Sequence, residues 1–506
     1  MSTKRAISSS SLSLSALHPG LPKARTRKYT LQGPEKIPHA VIAGGGPAGL
    51  LTAAMLLTRG YKVSLYEARE DPKLTQLGPR AFSLGLNIRG QKALRYFETR
   101  APGLWENIKV NGRGIDAFHV HIGSKELKIR KPQAPNTYDR VTSFDEVPPP
   151  TLMIPRNKLC EAIFDTIQYH HKQNKDSEGN PKFNVKFESR LESVELAEKI
   201  CHFSCGDSVK YDLLVGADGV QSALRSAMLK EDDSFVSEEV ILPGKYVVLN
   251  EGNKLDSTLQ NGAVHAMENP KTDFGLFVIP KSEGTCTLLT WKDDEKSTGP
   301  PKLYQNIIRK FDSVTDKLDT FESVRDLIRR GFPKFGSPTD DALEQLVSQR
   351  PSEARTVRCN RYHSTKGNSV LLGDAAHSTG GTLGQGANSA LIDVCELDRS
   401  LEACDDNIKE AIELFSHKQV PEGLALWKLL QIPNKLPGPL RFIYLLTNFL
   451  GGLLSKVFKG WISPPTQILL SQTLTPFTDI CRKNSLWLWF ALKQYKTIEY
   501  EYEPSR

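Results

Sequence analysis

The sequence lacks the features of a secreted scaffold, a zinc module or a membrane span. Its eight cysteines are scattered along 506 residues, with no CxxC pair and no paired histidine ligands beside them. Cys201 and Cys205, around His202, come nearest to a cluster, but KICHFSC alternates as a strand does. Reduced thiols, no disulfide framework and no structural metal are expected. Acids are missing from the first 34 residues, which instead carry Lys4, Arg5, Lys23, Arg25, Arg27, Lys28 and a serine run from Ser8 to Ser11. That leader holds six of the net +8 charges, so the remaining body is close to neutral and makes no case for nucleic acid. It also lacks the apolar stretch of a secretory signal. A basic, Ser-rich leader over 1–36, without an acid before Glu35, reads as an organellar transit peptide, plastid before mitochondrion, with a plain tail as the alternative. Long apolar runs are missing as well: the uncharged stretch Phe442 to Ser455 has 14 residues, short of the ~20 that cross a bilayer.

What is present is a repeated strand-and-glycine pattern. Residues 41–50 read VIAGGGPAGL: an apolar strand from His39 to Ala43 enters Gly44-Gly45-Gly46-Pro47-Ala48-Gly49 and then an apolar helix. In a dinucleotide site Gly44 makes the tight turn, Gly46 lets backbone N–H groups approach a pyrophosphate, and Ala48 and Gly49 let helix and strand pack closely. The helix N-terminus adds unpaired N–H groups and a positive dipole end. A second strand, Lys62 to Tyr66, ends in Glu67, whose carboxylate can accept ribose hydroxyls, with Arg69 just behind. Two later segments have the same form. YDLLVGADGVQSALR (211–225) stops at Gly216-Ala217-Asp218-Gly219, and SVLLGDAAHSTGGTLGQGANSALID (369–393) stops at Gly373-Asp374. Each sets an acid and small residues at the carboxyl end of a strand, where open α/β sheets bind ligands.

The order and spacing of these three motifs resemble those of the single-component FAD-dependent aromatic monooxygenase family. PRAFSLGLNIRGQKAL (79–94), NGRGIDAF (111–118), DFGLFVIPKSEGTCTLLTW (273–291), GFPKFG (331–336) and TVRCNRYHSTKGNSVLLGDAAH (356–377) are similar, in the same order, to its kynurenine 3-monooxygenase branch. The resemblance runs from about residue 38 to about 485. It implies an α/β fold with a Rossmann-like FAD-binding domain over 37–110, 150–230 and 355–400. Interleaved with it is a mixed β-sheet substrate domain over 111–149 and 235–354, followed by a C-terminal helical region over 401–506. The length suits two interleaved domains and an appendage rather than one core. Alternating runs such as KYVVLN and FGLFVIP read as antiparallel strands. With no second GxGxxG in context, a separate nicotinamide domain is not expected.

The resemblance further implies FAD as cofactor, NAD(P)H as a transient co-substrate, and O₂ with a small aromatic substrate. Hydroxylation through a flavin hydroperoxide would leave the protein to position the ring and exclude water, with no catalytic residue assigned. Arg80 and Arg156 would contact FAD together with Asp218, and Asp374 would hold the ribityl chain. Gly384, Gln385, Gly386, Ala387 and Asn388 would face the isoalloxazine ring. Arg113 would take the substrate carboxylate, because a guanidinium fork pairs both oxygens at once.

Two departures concern the substrate more than the cofactor. Ser378-Thr379-Gly380-Gly381-Thr382-Leu383 lacks the proline and aromatics that the family usually carries before GQG. Thr466-Gln467 stand near the position where the branch has a carboxylate-binding tyrosine. A reductase, desaturase or epoxidase of an isoprenoid or lipid therefore stays open, as does a flavoprotein without oxygenase activity. The C-terminus is helical in pattern, with Lys456, Lys459, Arg482, Lys483 and Lys493 near its apolar runs and Trp461, Trp487 and Trp489 among them. Such helices either cap the substrate cavity or touch a membrane surface peripherally, and both readings stand.

Overall fold

The computed structural model describes residues 37–493 except 75–81, 116, 123–124, 131–148, 176–178, 180, 252–258, 260–261, 269–273, 283, 292–313, 382–383 and 458–463. The leader, Arg80, Thr382, Leu383, Lys459 and Trp461 thus lie outside the described residues.

Continuous apolar runs form a parallel sheet. Ser369–Leu371, Leu213–Gly216, His39–Ala43, Lys62–Tyr66 and Phe183–Lys186 lie side by side in that order, every pair parallel. A parallel sheet is covered on both faces, so its inner strands need no polar side. Accordingly Ala40, Val41, Ile42, Leu213, Leu214, Val215 and Val370 are all fully buried. The register aligns the strand ends: Ala43 lies opposite Gly216 and Tyr66, and Gly216 opposite Leu371. The three motifs therefore emerge at one edge of one sheet.

A mixed sheet of seven strands runs Ser352–Cys359, Ser237–Glu251, Thr285–Trp291, Phe274–Pro280, Ala263–Glu268, Ala117–Ile122 and Lys125–Arg130. Its pairs are antiparallel except Ala263–Glu268 with Ala117–Ile122, which is parallel. Alternation along the strands gives it two apolar faces. Val248, Val264, Phe277 and Leu288 point one way and pack with Ile115 and Met153. Val247, Leu249, Met267, Leu276, Val278 and Leu289 point the other way, against Phe321, Val324 and Ile328 of the helix Val314–Gly331 and Ala342, Leu343 and Leu346 of Asp340–Ser348. A small sheet, Ser83–Leu86, Thr151–Pro155 and Arg113–Ile115, supplies Ile115 and Met153 to the first face. The α/β class and the mixed second sheet agree with the expectation. The stretch 352–371 supplies an outer strand to both large sheets.

From Gly386 onward the regular structure among the described residues is all helix. Ile408–Lys435 is one helix of 28 residues containing Pro421 and Pro433, followed by Gly438–Val457, Thr466–Gln472, Phe477–Lys483 and Ser485–Leu492. Leu426, Leu429, Tyr444, Leu469, Phe477, Ile480 and Leu488 bind these helices into a core of their own. Arg89 docks that core onto the nucleotide side: its Nε donates to the Leu470 carbonyl at 3.1 Å, and its guanidinium lies 4.4 Å from the Phe477 ring centroid. Burial pushes Arg89 down to about 10, against the pull of Glu422. Phe442, Ile443, Leu446, Leu486, Trp489 and Phe490 stay exposed. Among the described residues no helix is long and apolar enough to cross a membrane. All eight cysteines are free, and KICHFSC forms the strand Ile200–Phe203.

Candidate functional site

The first glycine turn is built by close approach of backbone to backbone. Gly44 sits at φ +103°, and a Cβ there would lie 2.2 Å from the Ala217 carbonyl oxygen. On Gly49 a Cβ would lie 1.9 Å from the Gly44 oxygen. No side chain fits at either point. Gly46 caps the helix Pro47–Thr58 with no side-chain partner for its first N–H groups, and Ala48 is buried beneath it. Those N–H groups and the dipole make an anion site at the end of the first strand.

Charged side chains from three sequence regions meet there. Glu67 ends the second strand, and its carboxylate accepts from Gly45 N–H at 2.5 Å and Arg69 N–H at 2.9 Å. Arg156 opens the helix Arg156–His171, and its Nη2 stands 3.2 Å from where a Cβ of Gly46 would be. Repulsion from Arg156 lowers Arg69, with desolvation adding to it. Two like guanidiniums held side by side suit a polyanion. Asp374 begins the short helix Asp374–His377. The residue is exposed at the surface, yet desolvation by the neighbouring protein raises its carboxyl, although His377 and Arg156 pull the other way. Asp218 is likewise raised by burial, against hydrogen bonds from Ser222 and Ala223; its Oδ2 accepts from Ala223 N–H at 2.7 Å, while Oδ1 is buried with no hydrogen-bond partner among the described residues.

The loop after Asp374 differs from the arrangement inferred from its sequence. Gly380, Gly381 and Gly384 all take left-handed φ, at +62°, +78° and +62°. Proline is fixed near −65°, so Gly381 does not simply stand in for a proline; the chain follows a path that proline cannot take. Asn388 also differs. Its Nδ2 donates to the Gly85 and Gly384 carbonyls at 2.9 Å each, and its Oδ1 accepts from Asn87 N–H at 3.0 Å. Gln385 is buried and accepts from Asn87 Nδ2 at 3.1 Å. The Asn388 amide and Gln385 Oε1 are therefore engaged in tying the helix Gly386–Ala403 to Asn87. Behind the loop, Asp393 Oδ2 accepts from Gly373 N–H at 2.9 Å and from His377 Nε2 at 2.6 Å.

Arg113 reaches across from the small sheet to the mixed sheet, where its Nη1 donates to the Lys281 carbonyl at 3.2 Å. It is half-buried, two residues from Ile115 and directly paired with Met153, at the margin of the mixed sheet's first apolar face. Sequence reasoning missed several supporting residues. Asp398 is the main one: it pairs with Arg59 at 2.7 Å and Arg100 at 2.5 Å and accepts from Tyr96 Oη at 2.7 Å. Burial alone would raise Asp398, but these two arginines and the tyrosine hold it below the usual range. Its partners lie some 300 residues away in sequence, so only the fold reveals it.

A family model described as FAD binding domain matches residues 38–406. Kynurenine 3-monooxygenase of Caenorhabditis briggsae is 24% identical over 476 residues, which cover 88% of this chain and 92% of that one. Among solved structures, the tetrameric form of 2-methyl-3-hydroxypyridine-5-carboxylic acid oxygenase is similar with a TM-score of 0.57 and 18% identity, over 78% of this chain and 90% of that one. PqsL of P. aeruginosa, solved in complex with 2-aminobenzoylacetate, is similar with a TM-score of 0.55 and 17% identity, over 79% of this chain and 96% of that one.

Proposed function

The chain belongs to the FAD binding domain family and is an FAD-dependent monooxygenase, and on that premise we propose that it hydroxylates a small aromatic carboxylate, with kynurenine the first compound to try. Arg113 carries this reading: a half-buried guanidinium at the margin of an apolar sheet face matches a molecule with an aromatic body and one carboxylate. The nucleotide residues fit FAD, since the Gly44 and Gly49 backbones exclude any side chain and Asp218 Oδ1 awaits a donor. When bound and reduced by NAD(P)H, FAD supplies the activated oxygen: one atom of O₂ enters the ring and the other leaves as water.

The protein's part is to bind, orient and keep water out. Gly44, Gly46, Ala48 and Gly49 would bring backbone N–H groups to the pyrophosphate, helped by Arg156 and Arg69. Glu67 would take ribose hydroxyls by exchanging its bond to Gly45. Asp374 would hold the ribityl chain, and the backbone of 384–388 would lie against the ring. Arg113 would fix the substrate carboxylate while Ile115, Met153, Val264 and Ile279 line the dry side. The curated relative of C. briggsae bears the kynurenine name, which supports trying that amino acid first.

Replacing Arg113 with Ala should raise KM for the carboxylate substrate about 10- to 100-fold, the loss of one charge-assisted hydrogen bond, with FAD content unchanged. Arg113→Lys should recover part of it, because an ammonium cannot form the planar fork. Unchanged kinetics in Arg113→Ala would remove the assignment. Kynurenine that neither binds nor stimulates NADPH oxidation would end the kynurenine reading alone.

A peripheral membrane contact is proposed for the exposed Phe442, Ile443, Leu446, Leu486, Trp489 and Phe490, with Lys493 beside Trp489. Co-sedimentation with anionic vesicles that survives Phe442→Ser plus Trp489→Ser would dismiss it. The basic leader is proposed as an organellar signal, which a fluorescent fusion of residues 1–36 would check.

A further inference from the structure

We propose that His119, His121 and His265 form a binding site for one divalent transition-metal ion of the zinc class, on the face of the mixed sheet opposite Arg113's apolar neighbours. The strand pattern brings them together. His119 and His121 are two residues apart in Ala117–Ile122 and so share a face. Parallel pairing with Ala263–Glu268 sets His265 directly beside His119. His265 in turn lies opposite Val278, on the face covered by the helices Val314–Gly331 and Asp340–Ser348. The cluster therefore stands apart from the nucleotide turn and from Arg113. It also runs against the expectation of no metal, which was drawn from cysteine spacing.

All three rings are buried, and one nitrogen of each lies within 4.8 Å of one nitrogen of both others. Zinc bound by imidazoles at about 2.0–2.1 Å in a tetrahedron sets its ligand nitrogens about 3.3 Å apart. The pair already in contact, His121 Nε2 and His265 Nδ1, is 3.0 Å apart, so adjustments of a few tenths of an ångström on one side and about an ångström on the other would close the site. A cluster held by hydrogen bonds alone would pair its ring nitrogens, yet both nitrogens of His119 and Nδ1 of His121 are buried without a hydrogen-bond partner among the described residues. Buried orphans of this kind call for an explanation, and a metal accepts lone pairs where no donor is available.

The surroundings complete the pattern. Glu126 Oε1 lies 2.9 Å from His119 Nδ1, at ion-pairing distance though off the hydrogen-bond axis, and Lys334 holds the other carboxylate oxygen at 2.9 Å. A carboxylate behind a ring nitrogen turns the opposite nitrogen toward the metal and raises its basicity. His119 Nε2 is then the ligand atom, and the fourth position falls to water. Three imidazoles without a thiolate suit zinc, copper or nickel over magnesium or calcium. The ion would clamp Ala117–Ile122 to Ala263–Glu268, two strands some 146 residues apart in the chain.

The test uses the full-length FAD-loaded protein, stripped with a chelator and equilibrated with Zn²⁺ against a chromophoric competitor, with zinc counted per flavin. One zinc per flavin is expected. His119→Ala and His265→Ala should each lose it with flavin retained, and Glu126→Gln should weaken it about 10- to 100-fold. Should the histidine variants fail to hold FAD, zinc-edge X-ray absorption of the wild type decides. A shell of nitrogen and oxygen with three imidazoles supports the site. A hydrogen-bonded histidine cluster with no stoichiometric zinc overturns it, as does sulfur in the shell or zinc that persists in His265→Ala.

Discussion

The turn at 44–49 and the loop at 380–384 are both rich in glycine, and both hold glycine at positive φ (Gly44 in the turn; Gly380, Gly381 and Gly384 in the loop), but for different reasons. At Gly44 and Gly49 a side chain would run into backbone at 2.2 and 1.9 Å. At Gly381 and Gly384 no described residue lies within 4 Å of an added Cβ. At Gly44 and Gly49 glycine is required by backbone neighbours; at Gly381 and Gly384 it is required by dihedral angles, while Gly380 meets only the end of the Leu242 side chain, at 2.6 Å. The lesson is that a glycine pattern carries two kinds of information, and only the first is rigid enough to define a ligand's shape.

The strongest test of that contrast is Gly49→Val, which must separate helix from strand. A loss of about 3–5 kcal/mol and of most bound FAD is expected, read by chemical denaturation and flavin absorbance. Stoichiometric flavin in this variant would erase the distinction. Next comes the support behind the loop. His377→Gln should cost about 2 kcal/mol, since it removes a charge-assisted bond to buried Asp393. Burial works to lower His377, but Asp393 at 2.6 Å outweighs it and the value is raised. A raised histidine stabilises fully below its unfolded value of about 6.5 and loses that contribution as pH climbs through the folded value. The stability gap between wild type and His377→Gln should therefore be widest in mild acid and narrow as pH rises above about 6.5. The smallest effect is expected from Gly381→Ala, about 1 kcal/mol of left-handed strain with FAD retained. Gly381→Pro sharpens the comparison further: its fixed φ should re-route the loop and alter the ratio of NADPH oxidised to product formed, while flavin content stays near that of the wild type.

Legibility in the sequence follows the same division. The parallel strands could be read because burial on both faces leaves uninterrupted apolar runs, and the turn because backbone contact admits glycine alone. Arg156 was named from resemblance, but its neighbour relation to Arg69 depends on two strand ends meeting. Asn388 and Gln385 looked like ring contacts, whereas their amides serve Asn87, Gly85 and Gly384. Nothing local distinguishes those uses. His119 and His121 were hidden differently: H-x-H inside a strand is ordinary alternation, and His265 joins them only through a parallel pairing that no hairpin rule anticipates.

The shared stretch 352–371 has a consequence for how the chain is made. Ser352–Cys359 is an outer strand of the mixed sheet and Ser369–Leu371 an outer strand of the parallel one. A nascent chain stopped short of residue 352 has neither sheet finished, and each presents an unpaired backbone edge to its surroundings. Synthesis of those few residues adds the outer strand to both at nearly the same moment. The completion of the two sheets is thus coupled in time as well as in space, just before the helices that follow are made.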